Sequence, residues 1–240
     1  MKDNLQDLIQ YTHGLGVIDL IKVVGSDKQT VITAVAEDKS VVVEGTLKTP
    51  LADFAGTFGM PNLAKLKTIL GFDDYDNNAK INVTHNKDGV PSAIHFETKV
   101  GDFINDYRLM SKAIVEEKIK NFTFKSAKWD VEFEPTVSGI MRLKKQASAN
   151  SEENNFVTKT DKDDLKIYFG DASTHSGNFV FHPGVSGSLS RAWQWPVKVF
   201  LAIMDLPGDK TVRISDQGAA EITVDSGLAT YRYLLPAQAK

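Results

Sequence analysis

The sequence contains no cysteine, although it is 240 residues long. Disulfide bonds and thiolate metal ligands are therefore excluded, and the composition fits a reducing compartment, so we expect a cytoplasmic protein. Long apolar runs are also absent. Nowhere do about 18 consecutive apolar residues occur, so no membrane-spanning helix and no membrane partner are predicted. Met1–Asp7 places acids and amides where a signal peptide requires an apolar stretch.

Neither sign of charge is in large excess. The chain has 28 Lys and Arg against 31 Asp and Glu, which gives a net charge of −3. A protein that coats nucleic acid through its bulk charge needs a basic composition, so this class is disfavoured. A local basic face on an otherwise acidic body remains compatible with these counts.

Motifs typical of enzymes or metal proteins are missing. The five histidines include no pair at positions i and i+4 beside a glutamate, as a zinc-hydrolase helix requires. The segment Asp74–Asn78 begins like a calcium loop, but Ala79 replaces the required glycine and His85 replaces the bidentate glutamate. Gly184–Ser188 lacks both G-x-S-x-G spacing and a phosphate-loop lysine. We therefore expect no catalysis, no metal and no cofactor.

Two segments have amphipathic helical periodicity in the same register. In the first segment, the apolar stripe is Leu5, Leu8 and Ile9, and the opposite face has Gln6, Gln10 and His13. In the second segment, Pro135 suits the first turn, where its missing N–H would have no partner. Its predicted apolar stripe is Val137, Ile140 and Met141, and its polar face is Ser138, Arg142 and Lys145.

Short alternating or β-branched runs bounded by turn residues follow each of these helices, as in β-strands. The runs after the two helices are Val17–Val24, Thr30–Ala36 and Ser40–Thr46, then Phe156–Thr160, Leu165–Phe169 and Asn178–His182. Three more runs close each half: Lys80–His85, Ser92–Thr98 and Asp102–Met110, then Thr211–Ser215, Ala220–Asp225 and Leu228–Leu235.

A second, shorter helix that opens with proline is predicted in each half. The first begins at Pro50 and ends near Phe58, and its counterpart begins at Pro196. Their predicted stripes are Leu51, Phe54, Ala55 and Phe58, and Val197, Phe200, Leu201 and Met204. The segment Pro61–Leu70 predicts a helical insertion that only the first half contains, with Leu63, Leu66 and Leu70 facing one way.

The predicted fold class is α+β, with two similar domains. Each half has the order helix, three strands, helix and three strands, which is two copies of a helix-plus-three-strand unit. The domains are residues 1–110 and 122–240. They are joined at residues 111–121 by a connector that is charged and free of glycine.

This order of elements resembles the sliding clamps of DNA polymerases, the processivity factors of DNA replication, most closely in their tailed-phage form. The resemblance covers essentially the whole chain. It rests on the four helices, on Pro50–Phe54 and Trp195–Phe200 within the second helices, and on the ending Thr230–Pro236. It implies the DNA clamp fold: a ring of six domains, hence a homotrimer of two-domain chains, with helices lining a hole that holds duplex DNA.

The resemblance also implies the partners. A clamp slides on duplex DNA without reading its sequence, tethers the replicative polymerase and is placed on DNA by a clamp loader. It has no catalysis of its own. If a phage encodes this chain, the compartment is the host cytoplasm.

Two sets of functional residues follow from the resemblance. The polar helix faces would line the ring and meet DNA phosphates. These lining residues are Gln10, His13, Lys65, Lys67, Arg142, Lys145 and Lys198, with Lys144 a weaker candidate because it falls on the apolar stripe. A pocket for the apolar peptide tails of partners would lie beneath the connector. Its residues are Met110, Ile114 and Val115 on one side and Leu234, Leu235 and Pro236 on the other.

Other interpretations stay open. The lining residues also fit ordinary solvated helix faces, and the pocket residues fit a hydrophobic core. A β-rich structural or assembly protein of a virion is the alternative function, and it would show no basic clustering on the helices. An enzyme with a dispersed carboxylate site is compatible with the 31 acids, although no paired motif supports it.

Overall fold

The computed structural model describes residues 1–76, 78–120, 127–171, 173 and 175–238. The fold is of the α+β class, and the strands pair in antiparallel sheets. The chain divides into two compact units, the first with residues 1–123 and 226–231, and the second with residues 124–225 and 232–240. The end of the predicted connector at residue 121 and the predicted start of the second domain at residue 122 lie outside the described residues.

The described residues of the first unit form three α-helices and two antiparallel sheets. The helices are α1 (Lys2–Tyr11), α2 (Leu63–Leu70) and α3 (Lys112–Lys118). The strands are β1 (Leu20–Gly25), β2 (Thr30–Val35), β3 (Val42–Leu47), β4 (Gly56–Pro61), β5 (Lys80–His85), β6 (Pro91–Glu97) and β7 (Ile104–Arg108). One sheet has the order β4-β1-β2-β3 and the other β5-β6-β7. The predicted stripe of α1 is confirmed, because Leu5, Leu8 and Ile9 are buried.

The helix predicted from Pro50 to Phe58 is wrong. Only Ala52–Phe54 forms a turn of 3-10 helix, and β4 follows, paired with β1 so that Phe58 lies opposite Val23. Gly56 has a φ of 113°, a conformation that ends helical geometry and that residues with a Cβ rarely adopt. The predicted stripe is nevertheless partly buried, since Phe54 and Phe58 pack edge to face with ring centroids 5.4 Å apart.

The segment predicted as an insertion contains the actual second helix of this unit. Asn62 caps α2 by accepting a hydrogen bond from the Lys65 N–H at 3.2 Å through its Oδ1. Leu63, Leu66 and Leu70 are buried, as their spacing predicts. Lys65 and Lys67 are therefore on a helix and exposed to solvent.

In the second unit, the described residues form two helices, α4 (Val137–Ala149) and α5 (Val197–Asp205). Its strands are β8 (Val131–Phe133), β9 (Asn155–Asp161), β10 (Asp164–Phe169), β11 (Gly177–His182), β12 (Trp193–Pro196), β13 (Lys210–Ser215), β14 (Ala219–Asp225) and β15 (Ala229–Pro236), of which residues 229–231 belong to the first unit. The sheets have the orders β11-β10-β9-β12 and β15-β14-β13-β8. The predicted helix-plus-three-strand units omit β4, β8 and β12, the strands that precede α2, α4 and α5.

The apolar stripe predicted for α4 is wrong in its phase. Val137 is 79% exposed and Met141 is 48% exposed, whereas Leu143 is fully buried. Gly139 faces β11, and a Cβ at this position would lie 2.5 Å from the Phe181 carbonyl oxygen. The close approach that glycine permits therefore decides which side of α4 is buried. In α5, by contrast, Phe200 is buried as predicted and packs on Phe156 at 5.0 Å.

Candidate nucleic-acid interface

In the first unit, α1 and α2 lie side by side and leave a groove of about 370 Å³. The predicted lining residues Gln10 and Lys67 both border it, together with Gln6. The floor is apolar because Ile9 and Leu70 are buried. The structure thus brings Gln10 and Lys67 together on one exposed surface.

A half-buried carboxylate fixes the orientation of α1. Asp7 accepts hydrogen bonds from the Tyr231 hydroxyl at 2.7 Å and from the Ser226 hydroxyl at 3.1 Å. Tyr11, one turn further along α1, stacks on Tyr231 with ring centroids 4.7 Å apart and planes within 7°. Burial raises the pKa of the Asp7 carboxyl, and the two hydrogen bonds lower it by a smaller amount. These contacts set the outward side of α1.

His13 occupies the turn that follows α1. Its Nδ1 donates a hydrogen bond to the Ile18 carbonyl oxygen at 2.9 Å and lies 3.7 Å from Asp19 Oδ1. Only 22% of its side chain is exposed. These contacts assign His13 a role in closing the turn, and its contact with DNA stays a prediction.

Carboxylates lie on or beside α1 and α2, and one lysine of α1 is hydrogen-bonded within this unit. Asp19 Oδ1 accepts a hydrogen bond from the Ala64 N–H at 3.2 Å, so a carboxylate lies at the N-terminus of α2. Such a carboxylate is stabilised by the unpaired N–H groups and the dipole of the helix. Lys2 donates a hydrogen bond to the Tyr75 carbonyl oxygen, and Asp3 is exposed on α1.

In the second unit, α4 and α5 also lie side by side, with a groove of about 350 Å³ between them. Lys198 and Lys144 border this groove. The ammonium of Lys144 lies 2.5 Å from Asp205 Oδ1 and links the two helices. Lys144 is exposed rather than on a buried stripe, because the buried side of α4 is the one that contains Leu143.

The remaining predicted cations of the second unit are exposed and unpaired. Arg142, Lys145 and Lys198 project from the surfaces of α4 and α5. Across the described ranges, no Asp or Glu lies within ion-pair distance of these three side chains. Their charges are therefore available to an anionic partner.

Positive charge is concentrated on the four helices α1, α2, α4 and α5. Together they contain seven Lys and Arg and three Asp, a net charge of +4. Because the whole chain has a net charge of −3, the rest of the chain carries −7. This separation of charge is what a local nucleic-acid surface on an acidic protein requires.

The predicted pocket residues of the connector differ in their exposure. Val115 in α3 is fully buried, and its Cγ2 would lie 2.9 Å from a Cβ placed on Gly59 of β4. Met110 exchanges two backbone hydrogen bonds with Gly59, at 2.8 and 2.9 Å, and is half-buried. Ile114 is 47% exposed on the outer side of α3. A peptide could reach Ile114 directly, but Val115 only if α3 moved.

At the end of β15, the three predicted pocket residues also differ. Leu235 is fully buried in the second unit, Leu234 is half-buried and Pro236 is exposed. The chain then continues along β12, because Gln238 and Gln194 share a backbone hydrogen bond of 2.9 Å. Contact between these residues and a partner peptide stays a prediction.

Two residues that fix the connector have no motif that would reveal them. Lys22 lies in β1 and is only 3% exposed, and its ammonium donates to the Ile119 carbonyl oxygen at 3.5 Å. Gly59 provides the space into which Val115 packs. The sequence signal is a lysine within the apolar run Val17–Val24, since a buried lysine requires a polar partner.

Other kinds of site find no support in the described part of the chain. No group of three or more His, Cys, Asp or Glu side chains there could hold a metal ion. Among the same residues, no helix is both long enough and apolar enough to cross a membrane.

Comparison with known proteins points to a fold. No protein-family model and no curated protein matches the sequence. Among solved structures, the chain is similar to the complex described as the C-terminal region of FEN-1 bound to A. fulgidus PCNA, with a TM-score of 0.71 and 12% identity. The match covers 100% of this chain and 96% of that one. The chain therefore has a sliding-clamp-like fold along its whole length.

Proposed function

We propose that this chain is a DNA polymerase processivity factor, a sliding clamp that encircles duplex DNA and tethers the replicative polymerase. It would have no catalysis of its own. The observation that supports this best is the net charge of +4 on the helices of a clamp-like fold whose remaining residues carry −7. A virion assembly protein, the alternative from the sequence, would have no reason to concentrate cations there.

The chemistry of these cations suits sliding. Exposed Lys and Arg side chains attract phosphates through charge, and this attraction carries no sequence information. Tight binding is unnecessary because a closed ring cannot leave an uncut duplex. The proposed lining residues are Gln10, Lys65, Lys67, Arg142, Lys145 and Lys198, together with His13 at the end of α1.

The ring itself is part of the proposal. Two similar domains, residues 1–110 and 122–240 joined by the connector at 111–121, would each be a duplicated helix-plus-strand unit. Three chains would then supply the six domains of a closed ring. Ring closure would pair strand edges between subunits, since unpaired edges are costly to leave open. The same proposal includes three further points. The clamp would be of the tailed-phage type, a clamp loader would place it on DNA, and it would work in the cytoplasm, or in the host cytoplasm if a phage encodes it.

Partner proteins would bind through short apolar peptide tails. The similar PCNA structure holds the C-terminal region of FEN-1, which motivates this proposal for the present chain. On the connector, Met110 and Ile114 would contact such a tail, with Val115 supporting α3 from below. At the end of β15, Leu234 and Pro236 would do so, with Leu235 as part of the core.

Size-exclusion chromatography with light scattering tests the assembly, and retention on nicked circular DNA compared with linear DNA tests the function. We expect a mass of three chains, and a protein that stays on circles but leaves linear duplex through its ends. A monomer that treats both DNA forms alike would contradict the proposal.

A further inference from the structure

The two helix pairs carry unequal charge, although each belongs to one unit of the same chain. The pair α4 and α5 has four Lys and Arg and one Asp, a net charge of +3. The pair α1 and α2 has three Lys and two Asp, a net charge of +1. If both helix pairs contact DNA, their contributions to binding would therefore be unequal.

Contacts within the second unit leave its cations free. The single acid of α4 and α5, Asp205, is already bound to Lys144. Arg142, Lys145 and Lys198 are exposed, and within the described ranges none of them has a carboxylate in ion-pair range. Arg142 adds a planar guanidinium, which can bind a phosphate through two parallel hydrogen bonds.

Contacts within the first unit reduce its positive potential. Lys2 donates a hydrogen bond to the Tyr75 carbonyl oxygen, and Asp3 is exposed on the same helix. The Asp19 carboxylate accepts a hydrogen bond from the Ala64 N–H and so adds negative charge at the N-terminus of α2. The α1 side of the groove presents the uncharged amides of Gln6 and Gln10. The surface that results is polar but nearly neutral.

We propose that this chain contacts DNA phosphates chiefly through α4 and α5, while α1 and α2 form a nearly neutral surface along which the DNA backbone passes without being held. This inference rests on the proposed function, because it assigns the two helix pairs unequal shares of the proposed DNA contact. Phosphate contacts release counterions, so each cation that makes such a contact contributes to the salt dependence of binding. The two helix pairs can therefore be distinguished by measurement.

Two double variants provide a matched comparison. R142Q/K145Q removes two exposed cations from α4, and K65Q/K67Q removes two from α2. Binding to a short linear duplex is measured by fluorescence anisotropy between about 20 and about 200 mM salt, so that phosphate contacts dominate the affinity. A linear duplex also removes any contribution from topological linkage.

We expect R142Q/K145Q to lower the slope of log K against log[salt] by about 2, since each lost phosphate contact reduces it by roughly 1. K65Q/K67Q should lower it by less than about 1. Equal losses, or a larger loss for K65Q/K67Q, would overturn the inference. If either variant fails to assemble, Lys198→Gln compared with Lys67→Gln asks the same question with a single charge.

The outcome also separates the inference from the proposed function. The unmodified protein could show a steep salt dependence while both double variants lower its slope equally. This result would overturn only the inference that α4 and α5 make most of the phosphate contacts. An unmodified protein whose binding ignores salt, or that does not bind the short duplex at the lowest salt, would overturn the inference alone, because a closed ring needs no affinity for linear DNA. The proposed function fails only if the protein is not retained on nicked circles.

Discussion

Lys144 and Asp205 join the two helices of the second unit, with Nζ and Oδ1 2.5 Å apart. Both side chains are about half exposed, so the pair contributes no more than about 1 kcal/mol to stability. Its larger effect is on charge, because Asp205 neutralises a lysine that would otherwise add to the cations of α4. The ion pair thus limits the positive potential of the proposed DNA surface.

Asp205→Asn should therefore strengthen binding to a short duplex by about 2- to 5-fold at low salt, since one unpaired cation is gained. The free energy of unfolding should change by less than about 1 kcal/mol. Fluorescence anisotropy and urea unfolding measure the two quantities. Asp27→Asn is the matched control, because it removes the same charge from an exposed turn outside the helices. Equal strengthening by both variants would show that only net charge matters.

Asp7 should make stability depend on pH. Burial raises the pKa of Asp7 above its ordinary value of 3.8, so the folded state holds this proton more tightly than the unfolded state does. The favourable contribution is present below pH 3.8 and is lost as the pH rises through the folded pKa. Asp7→Asn keeps an acceptor for the Tyr231 hydroxyl but cannot ionise.

The melting temperature of Asp7→Asn should therefore rise relative to the unmodified protein between about pH 4 and pH 7. Asp3→Asn, at an exposed position on the same helix, is the control and should show no such trend. A difference between Asp7→Asn and the unmodified protein that stays constant over this range would contradict the assigned role of the Asp7 carboxyl.

His95 should give a pH dependence in the sheet of β5, β6 and β7. Its Nδ1 lies 2.8 Å from Asp106 Oδ1, and this hydrogen bond chiefly raises the pKa of His95, with a smaller contribution from Glu97. The stabilisation is fully present below the unfolded pKa near 6.5 and is lost as the pH rises through the folded pKa. His95→Gln should remove this loss.

Thermal melts between about pH 5.5 and pH 8.5 measure the effect. The unmodified protein should lose melting temperature relative to His95→Gln as the pH rises. His85→Gln, in an exposed position on β5, is the control. If the melting temperatures of both variants change with pH as that of the unmodified protein does, the ion pair between His95 and Asp106 does not contribute to stability in solution.

Gly139→Ala tests the packing of α4. In an unconstrained helix this change would stabilise by up to about 1 kcal/mol. Here the added Cβ would lie 2.5 Å from the Phe181 carbonyl oxygen, which belongs to the backbone and cannot turn aside. We expect a loss of about 1 to 3 kcal/mol in the free energy of unfolding, measured with urea. Ser138→Ala, on the exposed side, should stay near neutral, and stabilisation by Gly139→Ala would contradict the observed phase of α4.

Local patterns predicted much of the fold. The run Lys80–His85 alternates and ends in a glycine-containing turn, and β5 has the same bounds. The pattern failed at Phe54 and Phe58, whose spacing of four suggests a helix. The strand that contains Phe58 forms because β1 offers it a full set of backbone partners, which the local sequence does not reveal.

Local sequence patterns also predicted only part of the candidate site. The sequence predicts an exposed face that contains Arg142 and Lys145, and both are exposed, but the apolar residues Val137 and Met141 are exposed with them. Periodicity assumes that apolar residues point inward, whereas here the position of Gly139 against β11 decides. The pairing of Lys144 with Asp205 also depends on the packing of two helices distant in sequence. Such contacts require the tertiary structure.

Cutting a nicked circular duplex that already carries the protein tests topological linkage most directly. The protein is loaded on the circle, isolated by gel filtration and followed after a restriction enzyme opens the DNA. A ring held only by linkage should remain on the circle at moderate salt and leave within minutes of the cut. Protein that remains equally on cut and uncut DNA, or that never stays on the circle, would contradict the account.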